Sequence, residues 1–150
     1  MAILRRMRLL RCERGAELIE MAIVTPILLL LVFGIVDFGF LFQRYVVLTN
    51  AAAEGARVAS LPGYSAADVT ARVTAYAANG GVPGTVNTAT AAVTLPGANG
   101  GSWPGTQVTV THVYTYQYVG PIAALFGGGI GGNVTITSRA TMRNQVAAGP

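Results

Sequence analysis

The sequence predicts an α+β protein: a long N-terminal transmembrane helix continuing into a small head with a short helix and a three-stranded antiparallel sheet. Three observations carry this. An almost unbroken apolar run from Met21 to Phe42 follows a basic leader. Small and helix-forming residues continue that run to Ser60, with no proline after Pro26 until Pro62. Beyond Gly81 the apolar spacing changes from about four residues to two, the period of strands. At 150 residues there is room for one membrane helix and one modest domain. The segments are a leader at 1–15, a transmembrane and extended helix at 16–60, and an extracytoplasmic head at 61–150.

Charge is distributed unevenly. The formal net charge is +4, and Arg5, Arg6, Arg8, Arg11 and Arg14 against Glu13 account for all of it. After Gly15, five arginines balance Glu17, Glu20, Asp37, Glu54 and Asp68. The mature part has no basic surplus to track a phosphate backbone, so nucleic acid is not an expected partner. Cys12 is the only cysteine and sits in the leader, which leaves no disulfide and no thiolate metal site beyond it. No cofactor or metal is expected.

Taken in order, the arginine-rich leader stays cytoplasmic by the positive-inside tendency, and the remainder is translocated. A secretory signal peptide has a shorter apolar region and is cut on its far side; here the small pair Gly15-Ala16 precedes the apolar run. Met21 to Val36 spans about 24 Å as helix, and Met21 to Phe42 about 33 Å, against a hydrocarbon core of about 30 Å. The longer version crosses if Asp37 is tolerated, and the expectation for Asp37 is that it snorkels toward the outer surface; pairing within a helix bundle is the alternative. Pro26 removes a backbone donor and predicts local strain or a kink. Phe38, Phe40, Phe42 and Tyr45 mark the outer interface, with Arg44 beyond as a polar anchor. Ala51, Ala52, Ala53, Gly55, Ala56 and Ala59 make a smooth surface that a sheet or helix can approach closely, and Glu54 with Arg57 forms an i,i+3 pair.

Leu61-Pro62-Gly63 stops the helix. Ser65 and Asp68 cap a short amphipathic helix with Val69, Val73 and Tyr76 at helical spacing, ending at Asn79-Gly80-Gly81. Strands are expected at 86–95, where Ala89, Ala91, Val93 and Leu95 alternate weakly with threonines, and at 107–118, where Val108, Val110, His112, Tyr114, Tyr116 and Tyr118 share one parity. A third strand has Val134, Ile136, Ala140 and Met142 on one face. The connections at 97–105 and 120–132 are expected as glycine-closed loops whose apolar residues fold back onto the sheet.

The basic leader, Gly15-Ala16, Glu20 and the following apolar run together resemble the N-terminus of type IV pilin-like proteins. More narrowly, they resemble the TadE-like minor pilins, or pseudopilins, of the tight-adherence (Flp) pilus system; the ending Thr141-Met142-Arg143-Asn144 matches the same family. The resemblance implies cleavage by a prepilin peptidase after Gly15, leaving Ala16 as the new N-terminus and Glu20 as the fifth mature residue. It also implies that Glu20 pairs with a neighbouring subunit's Ala16 amine in an assembly, with Glu17 as a competing carboxylate. The implied partners are the prepilin peptidase, the major Flp pilin, a companion minor pseudopilin, the inner-membrane assembly platform and membrane lipid before assembly. The implied location is the inner membrane in a single pass, and the extracellular pilus after assembly. Met21 departs from the major Flp pilins, which carry tyrosine there. The alternative is an uncleaved single-pass anchor presenting a small extracytoplasmic binding domain.

Catalytic chemistry finds no support. His112 is the single histidine and lies in phase with the tyrosine face, so a core or edge position is expected for it. GGGIGG at 127–132 lacks the Gly-Lys-Ser/Thr ending of a phosphate loop. No serine, histidine and acid arrangement is supported, and an enzyme is not expected.

Overall fold

The computed structural model describes residues 13–96, 102–125, 127 and 132–145. Residues 1–12, 97–101, 126, 128–131 and 146–150 lie outside the described residues, and with them the expected leader up to Cys12 and much of the two expected connecting loops. The elements in order are α1 (Glu13–Ala59), α2 (Ala66–Asn79), β1 (Asn87–Pro96), β2 (Ser102–Thr115), α3 (Val119–Leu125) and β3 (Asn133–Arg143). This is the α+β arrangement expected, with one addition: part of the 120–132 connection is helical, as α3. The chain divides into two compact units, one comprising residues up to Asp37 with 117–131, the other Phe38–Tyr116 with the residues from Gly132. The division falls inside α1, and residues 117–119 meet Phe33, Gly34 and Asp37 of its first part.

In the second unit, α1 supplies a face with almost no side chain beyond Cβ. Leu48, Ala51, Ala52, Ala56 and Val58 are buried there together with Val69, Val73 and Ala77 of α2 and Val108, Val110, Tyr114 and Ile136 of the sheet. Gly55 marks the closest approach: a Cβ at that position would lie 2.6 Å from Val73 Cγ2 and 3.2 Å from Val108 Cγ1. Only a residue lacking that atom lets α1, α2 and β2 meet without displacement.

Helix α1 ends where expected, and the chain turns through Gly63 at φ +89°. Ser65 then caps α2 in a reciprocal capping box with Asp68. The buried stripe of α2 is Val69, Val73 and Ala77, while Tyr76 is exposed, so the third inward position falls one residue later than the apolar spacing indicated. Both positions fall within the width of an apolar helix face, and packing of Ala77 into the core decides between them.

The sheet order is β1-β2-β3, antiparallel throughout. In β2 the even residues face the core: Val108, Val110, His112 and Tyr114 are buried, and β2 ends at Thr115, so Tyr118 is not on the sheet. His112 is opposite Ile136, and Val110 opposite Ser138, which places Ile136 and Ser138 on the same face as the β2 core residues. Strand β1 differs from the sequence expectation. Thr88 pairs with Val110 and Thr90 with Val108, so the threonines look toward the core while Ala89, Ala91, Val93 and Leu95 occupy the other face. There Leu95 packs over Gly105, and Arg143 stacks on Trp103 at 3.4 Å from the ring centroid. Trp103, expected in a loop, lies in β2.

Because Ile136 is buried and Thr137 exposed, Ile136→Asp loses about 1.5–3 kcal/mol of burial and adds an unpaired carboxylate. We expect it to abolish the cooperative thermal transition of the head, with Thr137→Asp melting within a few degrees of wild type. Matching melts for the two variants would refute this register.

Candidate functional site

The first half of α1 is an unusual surface. Its helix runs through Pro26, and Leu18, Ile19, Met21, Ile23, Ile27, Leu28, Leu31 and Ile35 are each more than half exposed. Its best window has a mean hydropathy of 2.6, and this helix is long and apolar enough to cross a membrane. Apolar exposure on this scale marks a surface that meets lipid or protein rather than water.

Gly15 and Ala16 lie within the helical segment, and a Cβ at Gly15 would meet nothing within 4 Å. Glu17 and Glu20 are both exposed on the same helix. At spacings of one and four residues from Ala16, they differ geometrically: Ala16 and Glu20 share one helix face, as do Glu17 and Glu20, whereas adjacent Ala16 and Glu17 do not.

Asp37 departs from the expected behaviour. It does not snorkel outward; it is fully buried and accepts hydrogen bonds from three successive backbone N–H groups, those of Gln117 (3.2 Å), Tyr118 (3.0 Å) and Val119 (2.7 Å). The donors lie at the entrance to α3, where N–H groups have no partner within their own helix. A buried carboxylate is tolerable only when its oxygens are bonded, and charge-assisted bonds from backbone donors meet that requirement. Phe33 stacks on Tyr118 with ring centroids 5.8 Å apart, and Gly34 leaves room for Val119, whose Cγ2 would be 3.9 Å from a Cβ there. Residues 117–119 thus belong to the Asp37 site, though the sequence carried no signal for them; an isolated acid in an apolar helix shows that a partner is needed without naming it.

Arg44 also takes a different role. Its guanidinium lies over the buried ring of Tyr114 at 4.5 Å, within the second unit, instead of ending an interfacial belt. Phe38, Phe40, Phe42 and Tyr45 remain exposed. Around Glu54 the expected pair with Arg57 is present, with Nε to Oε2 at 2.9 Å and Nη2 to Oε1 at 2.8 Å, and Arg72 of α2 donates to the same carboxylate at 3.0 Å. Hydrogen bonding from Arg57 leads in holding the Glu54 carboxyl down at about 2, with Arg72 adding to it against a smaller upward effect of burial. The Ser65 hydroxyl, followed by its backbone N–H, lowers the Asp68 carboxyl.

His112 is buried in the core with Nδ1 3.1 Å from the Thr85 carbonyl, in keeping with a structural histidine. Among the described residues, no three His, Cys, Asp or Glu side chains converge as a metal site would require.

The fold is thus an α+β one that carries a long N-terminal helix apolar enough to cross a membrane. Residues 15–57, the part of α1 that carries Gly15, Glu20 and Asp37, match the family model for TadE-like proteins. The match suggests an association with the Tad pilus machinery in general. No curated protein and no solved structure matches the chain.

The Glu54 cluster has a defined pH signature. A carboxyl held below its ordinary 4.5 contributes stability that is present above that value and lost as pH falls through about 2. Both arginine side chains are more than half exposed, so solvent screening limits the contribution to about 1 kcal/mol or less. Denaturant melts should therefore show Glu54→Gln slightly less stable than wild type at pH 7, with the gap closing as pH falls from 4.5 toward 2. A gap that does not change with pH would show that the charge is not its origin.

Proposed function

We propose that this protein is a minor pilin or pseudopilin, processed by prepilin peptidase between Gly15 and Ala16 and taking part in assembly of a Flp-type adhesion pilus. The single observation that carries the reading is the TadE-like match over 15–57, which begins at the proposed processing glycine and includes the whole exposed apolar part of α1. The protein inserts once into the inner membrane, leader inside and head outside, and carries no chemistry of its own. Its partners are the peptidase, the major pilin, a companion minor pseudopilin and the inner-membrane assembly platform.

Cleavage frees the Ala16 amine. When α1 leaves lipid for a bundle of apolar helices, that amine loses its solvation and favours a neighbouring carboxylate. Glu20 fits this role because it is exposed on α1, in contrast to Asp37, whose oxygens are already bonded internally. Since Gly15 and Ala16 are helical in the free chain, the peptidase has to unwind the first turn, a small cost at a helix end where backbone donors are unpaired.

Two experiments test the proposal. Gly15→Leu should leave a full-length, membrane-held precursor, read by mass spectrometry of the N-terminus; processing equal to wild type removes the cleavage assignment and favours an uncleaved anchor. Glu20→Gln should be inserted and cleaved normally, yet be recovered with sheared pili at less than about a hundredth of the wild-type level, since breaking a buried pair costs about 3–5 kcal/mol. Loss in Glu17→Gln alone transfers the role to Glu17, and normal recovery of both variants eliminates the electrostatic pairing.

A further inference from the structure

We propose that residues 117–125 form a second membrane-contacting element, seated among the upper acyl chains on the far side from the N-terminus and held beside α1 by Asp37. The inference rests on the reading of α1 as a membrane span. It adds a lipid-binding surface that α1 alone does not define.

The placement comes from geometry. Tyr118 stacks on Phe33, Val119 lies against Gly34, and the backbone at 117–119 is bonded to Asp37. Counted from Met21, where the apolar run begins, Phe33 and Asp37 are about 18 and 24 Å along the helix, in the outer half of a hydrocarbon core of about 30 Å. The element therefore sits among the upper acyl chains, just below the headgroups. At the same level, Val32, Ile35 and Val36 of α1 are 45%, 66% and 40% exposed, so the lipid-facing surface of the span continues alongside it.

The composition fits that depth. Val119-Gly120-Pro121-Ile122-Ala123-Ala124-Leu125 contains no charged or polar side chain. Pro121 and Ala124 are exposed, and Val119 and Ile122 partly so. The polar residues of the element, Gln117 and Tyr118, lie at its entrance; an aromatic ring with a hydroxyl suits the interface. A non-helical entrance beside hydrocarbon would leave costly backbone donors, and Asp37 accepts the three at 117–119. Pro121 lies in the first turn, where its missing N–H removes no intrahelical bond. A soluble connection has no need of a buried carboxylate to hold an apolar helix at this height. Lipid is the occupant these features select, since the neighbouring α1 surface is already apolar and exposed over the same residues.

The test uses the full chain with Cys12→Ser and single cysteines at Ala124, Val32 or Thr137, each carrying an environment-sensitive fluorophore, in phosphatidylcholine vesicles. Quenchers are a lipid spin-labelled near the top of its acyl chain and aqueous iodide. We expect the Ala124 probe to be quenched by the labelled lipid at least threefold more than the Thr137 probe, and to be shielded from iodide. Asp37→Asn should cut lipid quenching at Ala124 at least twofold while leaving Val32 unchanged. If Val32 is lipid-quenched but Ala124 behaves like Thr137, the second element is disproved and the span stands. If Val32 also reports water, the span reading fails and takes this proposal with it. Shielding of Ala124 from both quenchers that disappears on dilution into excess lipid would make a second copy of the chain the occupant and overturn lipid. Unchanged quenching in Asp37→Asn would remove Asp37 as the holding residue.

Discussion

The head depends on a close approach: a helix face built from Ala51, Ala52, Gly55 and Ala56 lets α2 and the sheet come within contact distance of the α1 backbone. Small residues offer little apolar area of their own. Their value lies in letting larger partners, Val69, Val73, Val108, Val110 and Tyr114, interdigitate against one another without voids. The same smooth face is matched by a buried stripe of valine and alanine on α2. Larger side chains on both sides would have overfilled the space that Gly55 leaves.

A second constraint governs the other unit. A carboxyl group cannot remain without hydrogen-bond partners inside an apolar run. Asp37 resolves this with three backbone donors from a segment some eighty residues later, which ties α3 to the first part of α1. The bonds serve both partners, since the helix entrance has donors to place and the acid has lone pairs to fill. Glu20, exposed on the same helix, has no comparable arrangement. The two acids of the apolar segment thus have different capacities: Asp37 is spent within the chain, and Glu20 remains open to an external partner in the proposed assembly.

Charge elsewhere is used sparingly and locally. Glu54 gathers Arg57 and Arg72 and so links α1 to α2, while Arg44 and Arg143 are placed over Tyr114 and Trp103. Within the described residues, four of the five arginines beyond the leader are thus engaged by acids or rings, consistent with a head whose surface is not dedicated to an anionic ligand.

The sequence by itself determined what depends on local periodicity and order along the chain. The apolar length of α1, the stop at Leu61-Pro62-Gly63, the Ser65–Asp68 cap, the inward parity of β2 and β3, and the processing-type pattern at Gly15, Ala16 and Glu20 were all legible there. Tertiary structure decided what depends on pairing between distant segments. The face of β1 was set by register against β2, because one residue of slip exchanges the two faces and the alternating alanines carried too little hydrophobic contrast to specify one. The partner of Asp37 was likewise invisible in sequence, since backbone N–H groups are the same at every non-proline residue. Only folding, which brought 117–119 alongside Phe33, Gly34 and Asp37, selected which donors the carboxylate would take.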